Sequence, residues 1–370
     1  VNQDGLRALL EARGSLSVAE FMAWCLTGRS DAYYRAADPI GRSGDFITAP
    51  EVSQIFGELI GLWAGAVWQS MGQAAPIQLI ELGPGRGTLI TDALRALRVL
   101  PEFLAAMELH LVERSERLRE RQRDAIFGGF APIWHESLAD VPDGPAVIIA
   151  NEFFDALPVA QYIRSGGTWR ERVVRLDNGG QPIFAPGDAV PLPELPAAAS
   201  AAEEGAILET RPSALPVIEA IGRRAHRFPT AALIVDYGYG RDAYGDTLQA
   251  VRAHNYVDPL AAPGQTDLSA HVNFAELARM AQGSGLKAWG PMPQGHFLLA
   301  LGLETRLQKL LASRLEEPAR QNLVLGATRL IDPHQMGELF KAMALTSLGL
   351  PAPPPFGMAG AESNRQQEPS

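Results

Sequence analysis

A chain of 370 residues, 46% apolar and 20% charged, can build one large α/β domain with additions or two modest domains, and it lies outside the disordered and fibrous classes. The formal charge of −10 argues against a general affinity for nucleic acid, since a phosphate backbone is met by clustered Lys and Arg. The single cysteine, Cys25, leaves no intramolecular disulfide and no thiolate cluster for zinc. A reducing compartment is therefore the default, and Cys25 reads as core within the apolar run Phe21–Leu26.

Residues 1 to about 75 read as a helical extension. Leu6, Leu9 and Leu10 share a face, and Ser17 is placed to cap a helix through Phe21 and Leu26. The most apolar segment, Ile55–Met71, carries Glu58 and Gln69 and falls short of the roughly 20 residues that span a bilayer, so a buried helix is predicted rather than a membrane insertion. Gly57, Gly61 and Gly65 line one face of it and would admit a close backbone, although membrane helix dimers use the same spacing. Before it lies the loop Ile40–Glu51, with Asp45, Phe46 and Thr48 among its turn residues; it reads either as a connector and cap or as an active-site loop.

From Ile77 short apolar runs alternate with helical stretches, as in a parallel sheet with crossover helices. Strands are predicted at Ile77–Glu81, Leu109–Glu113, Pro132–His135, Ala146–Ala150 and Ala232–Asp236, with helices at Leu89–Val99 and Ser115–Ile126. The stretch from about 159 to 230 reads as an insertion at the sheet's edge, holding a hairpin of Ala160–Ile163 with Arg170–Leu176 across Gly166–Gly167 and a helix from Ser213 toward Phe228. Lys287–Trp289 and His296–Leu301 read as an antiparallel pair completing the sheet. Helices follow at about 303–316, 317–331 and 333–347, the last with Asp332 as N-cap and Pro333 in its first turn. Residues 351–370 read as a disordered tail.

The strongest chemical signal is Glu81-Leu82-Gly83-Pro84-Gly85-Arg86-Gly87 between a strand and a helix, where glycines bring the backbone against a ligand and the helix start offers N–H groups. Glu113 ends the next strand, where a carboxylate can accept both hydroxyls of a ribose. A dinucleotide fingerprint would place the third glycine one position later, and Glu81 would repel a pyrophosphate. S-adenosylmethionine has no phosphate and carries a sulfonium and an amino group, so the same carboxylate suits it. At the third strand's end, Ser137 and Leu138 occupy the position that would hold an adenine ring, while Glu136 reads equally as a solvated turn.

Asn151-Glu152-Phe153-Phe154-Asp155-Ala156-Leu157-Pro158 ends the fourth strand at the carboxyl edge, where open α/β sheets bind ligands. Glu152 and Asp155, with Asp236 at the end of the fifth strand, can orient a guanidinium or amine and accept a proton. Asp155 also reads as the N-cap of a turn. His271, in Asp267–Phe274, reads as a structural or substrate contact ahead of an acid–base group. No spacing of His, Cys and carboxylates suggests a metal site, and no G-x-S-x-G elbow supports a hydrolase.

Together with Gly44–Glu51, Val112–Ser115, Asp236–Gly238, Asp267–Phe274 and Met336–Lys341, these motifs make nearly the whole chain resemble the MidA-type methyltransferase family, which includes a mitochondrial complex I assembly factor. The resemblance implies a Rossmann-like class I methyltransferase sheet with an N-terminal helical extension (1–75), a SAM-binding domain (76–302) carrying the edge insertion, C-terminal helices (303–350) and the tail. It implies S-adenosylmethionine as cofactor, held by Glu81, Gly83, Gly85, Gly87, Glu113, Ser137, Leu138 and Asn151. It implies arginine N-methylation of a protein, the 49-kDa-type subunit of NADH:ubiquinone oxidoreductase, with Glu152, Asp155 and Asp236 catalytic and Asp45, Phe46, Thr48 and His271 at the acceptor side. A homodimer is compatible with it. The expected compartment is a bacterial cytoplasm, or a mitochondrial matrix for a trimmed eukaryotic chain. The residues alone leave two other functions open, a small-molecule N- or O-methyltransferase and a non-catalytic SAM-binding chaperone.

Overall fold

The computed structural model describes residues 2–26, 28, 48–126, 129–189, 202–252 and 255–357. They fall into two compact units, one drawn from Val1–Phe46, Phe154–Leu215 and Tyr239–Glu276, the other from Ile47–Phe153, Pro216–Gly238 and Leu277–Ser370. Each unit is thus assembled from three separated stretches of the chain.

In the first unit the helix Gln3–Arg13 is capped by Asn2, whose Oδ1 accepts the Gly5 amide at 2.8 Å. The helix Val18–Leu26 opens with a reciprocal cap: Ser17 Oγ accepts from the Glu20 amide at 3.1 Å and Glu20 Oε2 from the Ser17 amide at 2.9 Å. Leu6, Leu10, Phe21 and Met22 are buried with Leu16, Val174 and Leu268. Cys25 lies in the same core, where burial pushes its thiol up to about 12, so it is inert. The expected hairpin forms between Ala160–Ser165 and Thr168–Leu176. Gly166 and Gly167 supply the positive φ values, 62° and 75°, that a two-residue turn of this kind requires. Strands Ser15–Ser17, Ile207–Thr210 and Pro182–Ala189 join this antiparallel sheet, and Gln249–Arg252 pairs with Asn255–Val257 and Asp267–Ser269 in a second.

The second unit carries the parallel sheet. Its elements, numbered within the unit, are α1 (Gln54–Ser70), β1 (Ile77–Leu82), α2 (Thr88–Ala96), β2 (Met107–Val112), α3 (Glu116–Ala125), β3 (Ile133–His135), β4 (Ala146–Asn151), α4 (Leu215–Ala225), β5 (Thr230–Tyr239), β6 (Leu286–Pro293), α5 (Gln294–Ala300), α6 (Leu303–Leu311), α7 (Glu317–Ile331) and β7 (Phe340–Ser347). Strand order is β6–β7–β5–β4–β1–β2–β3. The five strands from β1 to β5 run parallel, and β7 lies antiparallel to both β5 and β6. Every residue of β1 is buried, as both-face coverage demands.

The glycine spacing of α1 does what its sequence suggests, against α2. A Cβ on Gly57 would lie 2.7 Å from Asp92 Cβ, and one on Gly61 would lie 2.6 Å from the Ala93 carbonyl oxygen. Glu58, buried in the same helix, is neutralised by Arg95 at 3.1 Å and Arg306 at 2.7 Å. No helix among the described residues is long and apolar enough to cross a membrane.

Three C-terminal expectations are corrected. Lys287–Trp289 belongs to β6, but its partner is β7; His296–Leu301 is not a strand, since Gln294–Ala300 forms α5. The expected helix 333–347 is a turn, a single helical turn at Met336–Leu339 and then β7, with Asp332 Oδ1 accepting the His334 amide at 2.8 Å as a turn residue. The helix expected at 303–316 ends at Leu311. Within the expected tail, Phe356 is buried against Phe297, and Trp63 Nε1 donates to the Pro354 carbonyl at 2.8 Å; residues 358–370 lie outside those described.

Candidate cofactor and methyl-transfer site

The glycine loop sits at the carboxyl end of β1. Gly83, Gly85 and Gly87 all have positive φ, at 63°, 54° and 80°, so side chains are disfavoured at each by the backbone itself. Gly83 donates to the Val112 carbonyl at 3.0 Å, and a Cβ on it would lie 3.0 Å from the Phe153 ring. Gly87 is the N-cap of α2 and leaves that helix start without a side-chain cap. Glu81 is 2% exposed, and its Oε2 has no hydrogen-bond partner in the protein. Burial alone pushes its carboxyl up to about 8. An orphaned, buried acid beneath a glycine-rich loop fits a cationic ligand that brings its own N–H donors.

Glu113 follows β2. Its Oε1 accepts the Ser115 amide at 2.8 Å and its Oε2 the Gln122 amide at 3.4 Å; burial still raises its carboxyl above the ordinary range, against those donors. Gln122 also donates to the Gly85 carbonyl at 2.7 Å. Nothing in the motifs named Gln122. The available signal was an uncharged polar residue on the buried stripe of a charged helix, four positions after Leu118.

Beyond β3, Ser137 N and Oγ both reach Asp140 Oδ2, at 2.9 and 2.8 Å, and open the short turn Leu138–Asp140. Leu138 is buried and Glu136 is exposed. His135 pairs with buried His110, Nε2 to Nδ1 at 2.9 Å, and burial lowers both imidazoles.

At the end of β4, Asn151 Nδ2 donates to Glu152 Oε1 at 3.2 Å, while its Oδ1 is buried without a partner. Glu152 has φ +49°, one of two non-glycine residues with positive φ among those described. Its amide donates to the Val235 carbonyl at 2.9 Å, and its Oε1 accepts the Ala49 amide at 2.9 Å. Strained backbone of this kind persists where the surroundings over-determine it, commonly at functional sites. Asp236, the next residue along β5, is fully buried, and its Oδ1 accepts the Tyr237 amide at 3.0 Å.

Asp155 and His271 belong to the first unit. Asp155 is 8% exposed, and its carbonyl accepts the Ala270 amide at 3.1 Å. His271 is held by its amide to Thr247 Oγ1 at 2.9 Å; burial, and then Arg211, lowers its imidazole below the usual range. Arg211, also unmarked by any motif, is 2% exposed and donates to the carbonyls of Phe154, Asp155, Leu157, Ala270 and His271 at 2.5 to 3.1 Å. Thr48 precedes the short helix Ala49–Val52 with no side-chain cap, and Asp45 and Phe46 lie outside the described residues.

A parallel α/β sheet with a glycine cradle, a buried acid beneath it and a second acid at the next strand's end defines a Rossmann-like nucleoside-binding protein of the methyltransferase type. The chain belongs to the S-adenosyl-L-methionine-dependent methyltransferase family whose model matches residues 59–292. It is 38% identical over 367 residues to the mouse protein arginine methyltransferase NDUFAF7, mitochondrial, covering 91% of this chain and 82% of that one. The Drosophila melanogaster homolog of the same name is 36% identical, with 92% and 83% covered. Among solved structures, a methyl transferase-type protein from Burkholderia thailandensis bound to S-adenosyl-homocysteine superimposes with a TM-score of 0.78 at 27% identity, covering 95% of this chain and 92% of that chain. The enzyme is thus an S-adenosylmethionine-dependent methyltransferase.

Proposed function

We propose that the chain methylates a guanidinium nitrogen of an arginine in a protein, with a subunit of NADH:ubiquinone oxidoreductase as the target. The observation carrying this reading is Glu152: an acid on a strained backbone at the end of β4, beside Phe153, which lies against the glycine loop. The relatives' names, protein arginine methyltransferase, support the same acceptor.

S-adenosylmethionine supplies an electrophilic methyl group on a sulfonium. The protein's work is to hold the cofactor and aim the acceptor. In this reading Glu81 and Asn151, each with an unpartnered buried oxygen, take the amino-acid end of the cofactor, and Glu113 takes the ribose. Ser137 and Leu138 flank the adenine. An arginine keeps its proton at neutral pH, and its lone pair is delocalised until a carboxylate aligns the planar group. Glu152 serves that purpose, with its Oε1 fixed by Ala49 and Asn151 so that the charge does not wander. The attacking nitrogen forms the N–C bond as the C–S bond breaks, and Glu152 accepts the proton released. Asp236, buried on β5 next to the residue whose carbonyl accepts the Glu152 amide, is proposed as a third carboxylate of the acceptor end. The relatives are named as mitochondrial, which supports a mitochondrial compartment for this chain, the matrix in our reading; the cytoplasmic alternative rests on sequence alone.

The test is to supply methyl-labelled S-adenosylmethionine with purified complex I subunits and, separately, with small-molecule amines and alcohols. Label recovered in arginine side chains of a subunit is expected. Label only in small molecules, or none at all while the cofactor binds, would overturn the proposal.

A further inference from the structure

Gln122 on α3 is fully buried, yet all of its polar atoms are engaged. Its amide nitrogen donates to the Gly85 carbonyl at 2.7 Å and to Glu113 Oε2 at 3.4 Å, and its oxygen accepts from Trp134 Nε1 at 2.8 Å. The partners fix the amide's orientation: a carbonyl and a carboxylate only accept, and an indole N–H only donates. Its backbone also closes the loop from beneath, since a Cβ on Gly87 would lie 3.5 Å from Gln122 Cα. One side chain therefore joins the glycine loop, the acid after β2 and strand β3.

We propose that Gln122 is a positioning residue for the cofactor, presetting the carboxylate of Glu113 and the carbonyl of Gly85 before the ligand arrives. The inference rests on the reading of Glu113 as the ribose acceptor. With Oε1 held by the Ser115 amide and Oε2 by Gln122, the carboxylate cannot rotate, so the edge it offers to two vicinal hydroxyls is fixed in advance. Removing the amide frees that rotation, leaves the Gly85 carbonyl unsatisfied and strands the Trp134 donor. Gln122→Glu would be worse than an apolar replacement, because it sets a second carboxylate against Glu113 and an oxygen against the Gly85 carbonyl.

The experiment measures binding of S-adenosylhomocysteine and of its 2′,3′-dideoxyribose analogue by calorimetry to wild type, Gln122→Leu, Glu113→Ala and the double variant. Gln122→Leu should bind S-adenosylhomocysteine roughly tenfold more weakly, the loss expected when a hydrogen bond to a charged group is misaligned. The dideoxy analogue should lose far less. The double variant should lose clearly less than the sum of the two single losses, because part of the Gln122 effect passes through Glu113. Wild-type affinity in a folded Gln122→Leu protein, or equal losses for both ligands, would reduce Gln122 to scaffold and overturn the inference. If Gln122→Leu does not fold, Trp134→Phe decides: it removes the donor to the Gln122 oxygen while keeping an aromatic ring under Arg123 and should weaken the hydroxyl-bearing ligand selectively, and an unchanged affinity would overturn the inference. Unchanged affinity in Glu113→Ala sinks the ribose reading itself; loss there with none in Gln122→Leu sinks the positioning role alone.

Discussion

Glu152 Oε1 accepts the amide of Ala49 at 2.9 Å, so the acid at the end of β4 also holds the first residue of the Ala49–Val52 helix. The carboxylate proposed to orient the acceptor thus also anchors the short helix that begins at Ala49.

The two roles separate on substitution. Glu152→Gln keeps an oxygen for Ala49 and removes the charge, so methyl transfer to an arginine substrate should fall about 10²-fold, in line with positioned acid–base groups, while cofactor affinity changes little. Glu152→Gly relieves the positive φ but releases Ala49; activity should fall further while the backbone strain is lost. Steady-state kinetics and calorimetry on both variants provide the check, and a fully active Gln variant would remove Glu152 from the chemistry.

Glu81 makes the ligand-free protein sensitive to pH. Its folded-state value, about 8, lies above the ordinary 4.5, so its contribution to stability is intact below 4.5 and is lost as pH rises through 8. The melting temperature of the ligand-free protein should therefore decline across that window, and Glu81→Gln should flatten the decline. A cationic ligand favours the ionised form, so binding near pH 7 should release a proton. Calorimetry in buffers of different ionisation enthalpy would detect it, and binding without proton release would place the ligand's positive end elsewhere.

Gly61 is where α1 and α2 touch most closely. A methyl group there meets the Ala93 backbone, which cannot swing aside as a side chain would. Gly61→Ala should lower stability by about 1–3 kcal/mol, the usual cost of overpacking, despite the better helix propensity of alanine. Urea unfolding at constant m-value is the measurement.

Shortening Arg211 removes a charged donor from five backbone carbonyls of the first unit, of which those of Phe154 and Asp155 keep a backbone amide. Arg211→Met should cost about 3–5 kcal/mol, as for breaking a buried charged network. Hydrogen exchange should quicken at residues 154–158 and 270–272 ahead of β1 and β4, and uniform protection would refute the clamp.

Strands β1, β2, β4 and β5 were legible because buried parallel strands read as largely apolar runs, and the glycine loop because its residues are contiguous. Phe340–Ser347 was not, since Lys341, Ala342, Met343, Ala344 and Leu345 favour helix locally. Pairing with β5 and β6 on both sides overrides that preference. The apolar run Phe297–Leu301 invited the opposite error, and α5 instead buries Phe297 and Leu298 on one face while Gln294 Nε2 donates to the Leu330 carbonyl. Gln122 and Arg211 were invisible because each acts on residues far away in the chain, Gly85 and the Phe154–Leu157 carbonyls, and a local motif cannot express that. The division into two interleaved units escaped notice for the same reason.

The position of β7 has a consequence for synthesis. It pairs with β5 along seven residues, from Ala231 opposite Thr346 to Tyr237 opposite Phe340, yet β6, α5, α6 and α7 are all translated between the two strands. Until β7 emerges β5 presents an open ladder on its outer side, and β6 lacks the strand it pairs with among the described residues. The cofactor loop, Glu113 and Glu152 are all translated roughly two hundred residues before the strand that closes the sheet beside them, so a nascent chain carries its ligand-binding residues through a long interval with an adhesive edge exposed.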